Sequence, residues 1–221
     1  PVQHLLYSEE DFERAAALLK KGTCILEAWI PFEMELAITV AQDANNVFTS
    51  FPVTETIYRE QKLVKTITPA RVGGNIQKEL EHIGKLAAKA MNLTGILTIE
   101  TFMTSSGTLY VNRLVVRPHH SCNYSLDGCS ISQYEVLVRC ICGLPIPEIQ
   151  LYDTSVTFNI MEEKLDEALI LLLTKPDWHF HFYGKKEHRA KRKMGHVTLL
   201  GDSPDTLINE LEENGLLESA E

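Results

Sequence analysis

The sequence predicts an α+β fold with a largely antiparallel sheet. Predicted strands outnumber predicted helices, and most neighbouring strands are joined by short turns, which is the pattern of hairpins rather than of βαβ crossovers. The chain has 221 residues, of which 44% are apolar and 23% charged. This length suits one domain of generous size or one and a half, and the composition excludes a disordered or fibrous protein.

Apolar periodicity and end signals define the elements. The first helix is predicted between a Ser8 cap, with Asp11 three residues on, and a Gly22 stop. Further helices are predicted at Ile76–Met91, Ser130–Cys142, Lys164–Thr174 and Ser203–Asn214. Strands are predicted at Thr23–Ile30, Glu35–Val40, Val47–Val53, Leu63–Thr66, Thr94–Met103, Leu109–Leu114, Ser155–Ile160, Trp178–Tyr183 and His196–Leu200.

Charge and cysteine content limit the function classes. The 30 acidic residues outnumber the 21 lysines and arginines, giving a net charge of −9, which argues against a general nucleic-acid binder. The longest apolar run, Ala168–Leu173, is too short to span a bilayer, and no charged-then-apolar leader opens the sequence. Five cysteines without paired spacing indicate reduced thiols. These features predict a soluble cytoplasmic protein.

Two acidic patterns are candidate ligand sites. Residues 27–30 lead through an aromatic into a proline turn, where exposed backbone groups can meet a planar base, and the carboxylate of Glu35 can bind a ribose. Glu100 and Asn112 lie on predicted neighbouring strands and offer the hard oxygen ligands that Mg²⁺ prefers. For both patterns the alternative is acidic side chains that simply face water, and on pattern alone that alternative is favoured.

A polar loop follows the second of these strands. It contains Arg117-Pro118-His119-His120-Ser121-Cys122-Asn123-Tyr124, with a guanidinium suited to phosphate and imidazoles able to move protons. A zinc site from His119, His120, Cys122 and Cys129 is an alternative, although the paired spacing of structural zinc sites is missing.

A basic run stands out against the acidic composition. Residues 183–196 hold six lysines and arginines against one glutamate, between two short predicted strands. The run can be a localisation or RNA-binding patch, or a solvated loop. We favour a pocket for a small phosphorylated ligand, because the aromatic residues of a base-stacking surface are few.

Several strings together resemble the N5-carboxyaminoimidazole ribonucleotide synthetase family of ATP-grasp enzymes, from about Cys24 to Gly201. The matching strings are Arg117-Pro118-His119, Ser132-Gln133-Tyr134-Glu135, Cys142-Gly143-Leu144-Pro145, Tyr183-Gly184-Lys185 and Arg192-Lys193-Met194-Gly195-His196-Val197-Thr198. The resemblance implies an ATP-grasp C-terminal part with a small β-rich C-terminal region. The implied divisions are residues 1–50 for the remainder of the small lobe, 51–147 for the large lobe and 148–221 for the C-terminal region.

The resemblance implies that ATP phosphorylates bicarbonate to carboxyphosphate, which then carboxylates the amine of 5-aminoimidazole ribonucleotide, with Mg²⁺ as cofactor. It also implies a homodimer, since family members are commonly dimers. The implied roles, by position, are adenine hinge for Glu27, Ala28, Trp29 and Ile30; ribose binding for Glu35; metal binding for Glu100, with Asn112 at the phosphates; catalysis for Arg117 and His119; and substrate binding for Lys185, Arg189, Arg192 and Lys193.

Departures from the family pattern support a second hypothesis. Where the family has Asn-Glu, this chain has Asn112-Arg113. The family's Asn-Ser-Gly-His corresponds to His120-Ser121-Cys122-Asn123 here, and a family histidine corresponds to Tyr58. A complete member also begins with a Rossmann-like domain and a Gly-rich lid over the phosphates, which these residues do not include. We therefore expect the isolated chain to have negligible synthetase activity. The alternative function is a degenerate paralogue that binds a nucleotide without chemistry.

Overall fold

A computed structural model describes residues 4–186 and 192–217. The chain divides into two compact units, Pro1–Pro31 and Phe32–Glu221. The first unit holds helix α1 (Glu10–Leu19). Ser8 does not cap this helix through its side chain. Instead, the carboxylate of Asp11 accepts the backbone N–H groups of Tyr7 at 2.9 Å and Ser8 at 3.1 Å.

The predicted strand at Thr23–Ile30 is wrong. Residues 23–31 have neither helical nor strand structure in this unit, and the side chains of Ile25, Leu26 and Trp29 are exposed. A strand requires a partner for its backbone groups, and the apolar pattern of these residues does not reveal whether a partner exists.

The second unit is built on one antiparallel sheet, to which the described residues contribute nine strands. The strands are β1 (Met34–Gln42), β2 (Phe48–Ser50), β3 (Thr54–Arg59), β4 (Lys62–Thr68), β5 (Gly95–Met103), β6 (Leu109–Val115), β7 (Thr154–Met161), β8 (His179–Phe182) and β9 (Lys193–Gly201). Their order is β6-β5-β1-β3-β4-β7-β9-β8, with β2 paired to β1. Because β4 pairs with β7, the sheet is continuous into the C-terminal residues. The predicted mainly antiparallel α+β fold is confirmed, while the predicted division at residues 50 and 147 stays a prediction.

Five helices accompany the sheet in the described part of this unit. They are α2 (Gly74–Ala90), α3 (Ser125–Gly128), α4 (Gln133–Ile141), α5 (Leu165–Leu172) and α6 (Pro204–Glu213). Ser132 caps α4, because its side chain accepts the N–H of Glu135 at 3.2 Å. Helix α2 packs its buried residues, Leu80 among them, against Leu36, Ile38 and Ile99 of the sheet. In the sheet centre, the face toward α2 is therefore the apolar face.

The opposite side of the sheet carries Glu35 and Glu100, and this region is called the polar face; farther along, the same side belongs to an apolar cluster that includes Ala41, Ile96 and Tyr124. Strand side chains alternate between the two faces of a sheet. Glu35 is next to Leu36 in the sequence and Glu100 is next to Ile99, so both glutamates lie on the face away from α2. The segment after β6, including a 3₁₀ turn at His120–Cys122, packs over this face. It is anchored there by the hydroxyl of Tyr124, which donates to the carbonyl of Pro52 at 3.0 Å. This segment and the polar face beneath it hold most of the predicted site residues.

Three bulges interrupt the ladders, and two of them lie beside residues of the predicted site, Glu100 and Lys193. The register shifts between Ile57 and Tyr58, between Glu100 and Thr101, and between Ile160 and Met161, where Met161 opposes Lys193. A bulge adds one unpaired residue, increases the local twist and redirects side chains, and bulges are common next to functional sites. No helix in the described residues is long and apolar enough to cross a bilayer.

Candidate functional site

Glu100 is the centre of a cluster on the polar face. Its Oε1 accepts a hydrogen bond of 2.9 Å from the hydroxyl of Tyr58, which lies on β3, two strands away. The same oxygen lies 3.5 Å from Nε2 of His119. The side chains of Glu100 and His119 are only 13% and 9% exposed. The sequence had predicted metal binding for Glu100 and catalysis for His119. The fold brings these two residues together from a strand and a loop that are 19 positions apart.

The cluster contains a second carboxyl group. Burial, together with the negative charge of Glu100, raises the pKa of Glu35 to about 7. Burial and the same charge raise the pKa of Tyr58 well above its usual range, so its hydroxyl stays protonated and remains a donor. Glu35 and Glu100 are neighbouring carboxyl groups, and Glu35 resists ionisation. A cation that binds beside such a pair is stabilised by their negative charge.

The contacts of His119 fix its tautomer. The backbone N–H of Ser121 points at Nδ1 of His119 at 3.4 Å, and the hydroxyl of Ser121 lies 2.9 Å from the same nitrogen. An N–H can only donate, so Nδ1 accepts and the neutral ring carries its proton on Nε2, toward Glu100. Burial and the charges of Arg117, Lys193 and Arg113 lower the pKa of His119 to about 4. At neutral pH His119 is therefore an uncharged donor.

Cationic side chains surround His119. Arg113 lies on β6, Arg117 in the following loop and Lys193 on β9, and the charge of each lowers the pKa of His119. Burial and the charge of Lys185 lower the pKa of Lys193 to about 8. Lys185 donates to the backbone carbonyl of Lys193 at 2.7 Å. The predicted residues Arg117, Lys185 and Lys193 are thus gathered at one place.

The remaining predicted substrate residues are less defined. Arg192 begins the second described range, and its carbonyl accepts the N–H of Glu162 at 2.8 Å. Arg189 lies outside the described residues, so its predicted role stays a prediction.

Asn112 and Arg113 lie at the bulge opposite Glu100. Glu100 pairs with Arg113, while Thr101 pairs with Val111, so Asn112 is the extra residue. Arg113 consequently stands directly across the ladder from Glu100, and both Asn112 and Arg113 are exposed. The family has a glutamate at this position, whose carboxylate can bind a metal. The positive charge of Arg113 would instead repel a metal ion bound to Glu100.

The four predicted hinge residues lie in the N-terminal unit. Glu27, Ala28 and Trp29 are exposed and Ile30 is half-buried, in a segment without helix or strand. Their contact with adenine stays a prediction.

The donor set fits Mg²⁺ in its chemistry. Glu100, the neighbouring Glu35 and the Asn112 side chain supply hard oxygen atoms, and burial and then the charge of Glu100 raise the pKa of Glu35. In the part of the chain that the structure describes, no group of three or more His, Cys, Asp or Glu side chains is arranged to hold a metal ion. An ion here would depend on ligand atoms from a bound phosphate, which is usual for Mg²⁺.

Sequence reasoning missed the side chains that support the cluster. Tyr58 entered only as a departure from the family pattern, and Gln133 only as part of a matching string. The structure has Gln133 fully buried, with Oε1 accepting the N–H of His119 at 2.9 Å and Nε2 donating to its carbonyl at 2.9 Å. The signal available in the sequence was an amide side chain directly after a helix cap, in a position that is exposed in most helices.

The arrangement brings both signs of charge to one imidazole. Glu100 lies 3.5 Å from Nε2 of His119, and the charges of Arg117, Lys193 and Arg113 lower its pKa. Below, Glu35, Glu100 and Asn112 are called the acidic end, and Arg117, Lys185 and Lys193 the basic end. Such a site can hold a metal-bound phosphate at the acidic end and a phosphorylated or carboxylated ligand at the basic end. It provides electrostatic stabilisation and orientation for transfer between the two, rather than a nucleophile.

Two family models match most of the chain. The family model of the ATP-grasp domain matches residues 3–134, and that of the phosphoribosylaminoimidazole carboxylase C-terminal domain matches residues 155–210. N5-carboxyaminoimidazole ribonucleotide synthase of Bacillus subtilis is 39% identical over 211 residues, which are 95% of this chain and 55% of that protein. The chain therefore spans about half the length of the curated relatives it matches.

Solved structures agree. An ADP complex of N5-carboxyaminoimidazole ribonucleotide synthetase superposes with a TM-score of 0.91 at 34% identity, covering 96% of this chain and 56% of the other. The enzyme of Aspergillus clavatus, in complex with ADP and 5-aminoimidazole ribonucleotide, superposes with a TM-score of 0.86 at 26% identity, covering 94% and 57%.

Proposed function

The chain belongs to the ATP-grasp family, in its N5-carboxyaminoimidazole ribonucleotide synthetase branch, and we propose that it is the C-terminal part of such a ligase. The reaction would consume ATP, bicarbonate and 5-aminoimidazole ribonucleotide and form N5-carboxyaminoimidazole ribonucleotide through carboxyphosphate. The observation that carries the proposal is the charged cluster at His119, which lies 3.5 Å from Glu100 and has its pKa lowered by the charges of Arg117, Lys193 and Arg113. Solved relatives bind ADP, ATP and the ribonucleotide, which supports the choice of ligands.

The acidic end would serve the nucleotide. Glu100, with Asn112 beside it, would hold Mg²⁺, which shields the phosphate oxygens and polarises the γ-phosphorus when bound. Tyr58 orients the Glu100 carboxylate by its 2.9 Å hydrogen bond. Glu35, whose pKa is about 7, accepts hydrogen bonds from a ribose most strongly in its ionised form, which a nearby cation favours.

The basic end would serve the anions that react. Arg117 and Lys193 would bind the carboxyphosphate or the phosphate end of the ribonucleotide, with Lys185, Arg189 and Arg192 contributing further charge. His119, neutral and protonated on Nε2, donates a hydrogen bond in the direction of the acidic end. It can therefore orient an oxygen between the two ends without adding charge. Positioning of this kind supplies most of the catalysis in phosphoryl transfer.

We propose further that these 221 residues bind ligands but turn over negligibly when isolated. The relatives are about twice as long, and their additional residues are where the family carries its phosphate lid. Removing groups that position a phosphate costs several kcal/mol of barrier. The whole ligase is proposed to act in the cytoplasm, as a homodimer.

The direct test is calorimetric titration of the chain with ATP and with 5-aminoimidazole ribonucleotide, each with and without Mg²⁺. The proposal expects metal-dependent nucleotide binding and saturable ribonucleotide binding. Binding of neither ligand would overturn it. A parallel assay of ADP release should show no rate that depends on both bicarbonate and the ribonucleotide, and a substantial rate would refute the proposed inactivity.

A second candidate is a paralogue that binds a nucleotide without chemistry. The observation that favours it is Arg113, which pairs directly across the ladder with Glu100. Nucleotide binding that is independent of Mg²⁺, and that becomes metal-dependent in Arg113→Glu, would support this candidate over the ligase.

A further inference from the structure

A chain of hydrogen bonds with forced directions starts at the main chain of His119. Its backbone N–H can only donate, so the atom of Gln133 that accepts it at 2.9 Å is Oε1. The other end of the Gln133 amide is then Nε2, a donor. It donates to the carbonyl of His119 at 2.9 Å and to Oδ1 of Asn123 at 3.2 Å. Gln133 thus clamps both main-chain polar groups of His119.

The direction passes on to Asn123. Its Oδ1 accepts from Nε2 of Gln133 and also from the hydroxyl of Tyr134, at 3.2 Å each. The Nδ2 end of the amide therefore faces the other way, where it lies 3.4 Å from the hydroxyl of Tyr183 and 3.4 Å from Nδ1 of His196. Asn123 and Gln133 are both at most 1% exposed, so water does not compete for these groups.

The last member of the chain is His196 on β9. Its Nδ1 lies 2.9 Å from the hydroxyl of Tyr183, which accepts from Asn123 and so has its own proton free to donate. Nδ2 of Asn123 can only donate, so Nδ1 of His196 accepts, and the Tyr183 hydroxyl, which can donate or accept, then donates to it. In the described residues Nε2 of His196 is buried without a hydrogen-bond partner, so Nδ1 alone decides the tautomer. The neutral ring then carries its proton on Nε2.

The ring of His181 stacks on the ring of His196. The rings of His181 and His196 lie 4.7 Å apart and are nearly parallel, at 16°. Nε2 of His181 lies 2.8 Å from Oδ2 of Asp127. Burial, followed by the charge of His181, lowers the pKa of His196 to about 3, so this ring stays neutral.

We propose that Asn123, Tyr183 and His196 are positioning residues for His119. They act through Gln133, and they link strands β8 and β9, which lead into the basic run, to the loop whose histidine faces Glu100. The functional consequence rests on the proposed function, since it concerns ribonucleotide bound between those strands and that loop. Residues far from the reacting atoms can contribute in this way, because the orientation of a donor matters as much as its presence.

The first test reads the network without any ligand. Long-range ¹H–¹⁵N correlation spectra of the histidine-labelled chain at neutral pH report which ring nitrogen of each histidine carries the proton. We expect His196 and His119 both to be protonated on Nε2 and not on Nδ1. A proton on Nδ1 of His196 would overturn the proposal, whatever the ligand titrations show.

The second test breaks the network in two places. Asn123→Leu removes the acceptor of Gln133, and Tyr183→Phe removes one oxygen atom and should leave the fold intact. Both should shift the backbone amide resonance of His119, whereas Tyr152→Phe, at an exposed tyrosine, should not. Unshifted His119 signals in Tyr183→Phe would overturn the proposal even if Asn123→Leu failed to fold.

A ligand titration then separates positioning from general stability. We expect Asn123→Leu to weaken ribonucleotide binding about tenfold, the loss expected for misplacing one charged-ligand hydrogen bond, and to weaken nucleotide binding less. Equal losses for both ligands would show a merely structural role and contradict the proposal. If the wild-type chain binds no ribonucleotide, the proposed function is wrong. The histidine spectra, which need no ligand, still test the hydrogen-bond network.

Discussion

Tyr58 and Glu100 are joined across an intervening strand: the tyrosine hydroxyl on β3 donates to Oε1 of the glutamate on β5 at 2.9 Å, with β1 between them. The bond fixes one carboxylate oxygen, which leaves Oε2 as the atom presented to a ligand. The bulge beside Tyr58 and the bulge beside Glu100 both lie at this contact. The geometry of the acidic end is thus set by the sheet itself rather than by a loop.

Removing that hydroxyl tests its contribution. Tyr58→Phe should lower the free energy of unfolding by about 1–2 kcal/mol, because a hydrogen bond to a charged, mostly buried acceptor is lost. Urea denaturation measures this, with Tyr152→Phe as the matched exposed control. Equal stabilities for the two variants would mean that water replaces the hydroxyl without cost.

Glu35 predicts a pH dependence with a definite sign. Its pKa in the folded chain is about 7, against 4.5 for the ordinary group, so the folded state binds the proton more tightly. The stabilisation by the protonated form is complete below pH 4.5 and is lost as pH rises through 7. Glu35→Gln should therefore match the wild type near pH 5 and exceed its stability at pH 8 by about 1–2 kcal/mol, after discounting for partial exposure.

Denaturation at pH 5 and pH 8 checks this, and Glu33→Gln at a neighbouring exposed position serves as the control. A Glu35→Gln variant that is less stable than the wild type at pH 8 would show that the carboxylate is ionised and stabilised there.

Lys193 predicts the response of anion binding to pH. Burial and Lys185 lower its pKa to about 8, so the charge that attracts a phosphate is lost as pH rises through 8. Wild-type affinity for the ribonucleotide should be weaker at pH 9 than at pH 7. Lys193→Met should lose about tenfold in affinity at pH 7, the value of one charge-assisted hydrogen bond, and should no longer respond between these pH values.

Calorimetry of Lys193→Met beside Lys186→Met, whose lysine is exposed, makes the comparison at equal net charge. The assignment fails if Lys186→Met loses as much affinity as Lys193→Met.

Gly195 is predicted to be irreplaceable for steric reasons. A Cβ at this position would lie 2.5 Å from the backbone oxygen of His181 on the paired strand β8. Gly195→Ala must push β8 away from β9 and should cost about 2–3 kcal/mol. Gly74→Ala, at the first residue of α2 with no atom near the new methyl group, should be neutral or slightly stabilising. Thermal unfolding of both variants decides, and equal midpoints would contradict the close approach.

Local patterns predicted those elements that local physics determines. Helix α2 was predicted two residues late at its start and one residue long at its end, because its apolar stripe has a clear period. Strand β3 was missed as a separate strand. Its sequence, Thr54-Glu55-Thr56-Ile57-Tyr58-Arg59, lacks a clear apolar alternation, and its buried carboxylate, Glu55, is paired with Arg71 by two hydrogen bonds.

The resemblance indicated Glu100, His119 and Lys193 as site residues, and their roles stay predictions. In the structure Glu100 lies 3.5 Å from His119, and the charge of Lys193 lowers the pKa of His119. The support of His119 by Gln133 depends on how a loop crosses the sheet, which a local pattern does not encode. Arg113 illustrates the same limit, because only the register shows that it pairs with Glu100.

The most direct measurement of the central claim is a map of backbone amide shifts as 5-aminoimidazole ribonucleotide and then Mg²⁺-ADP are added to the chain. We expect the ribonucleotide to move the signals of Arg117, His119 and Lys193, and the nucleotide to move those of Glu35, Glu100 and Asn112. Shifts confined to surfaces away from the polar face of the sheet, such as α2 or α6, would contradict it.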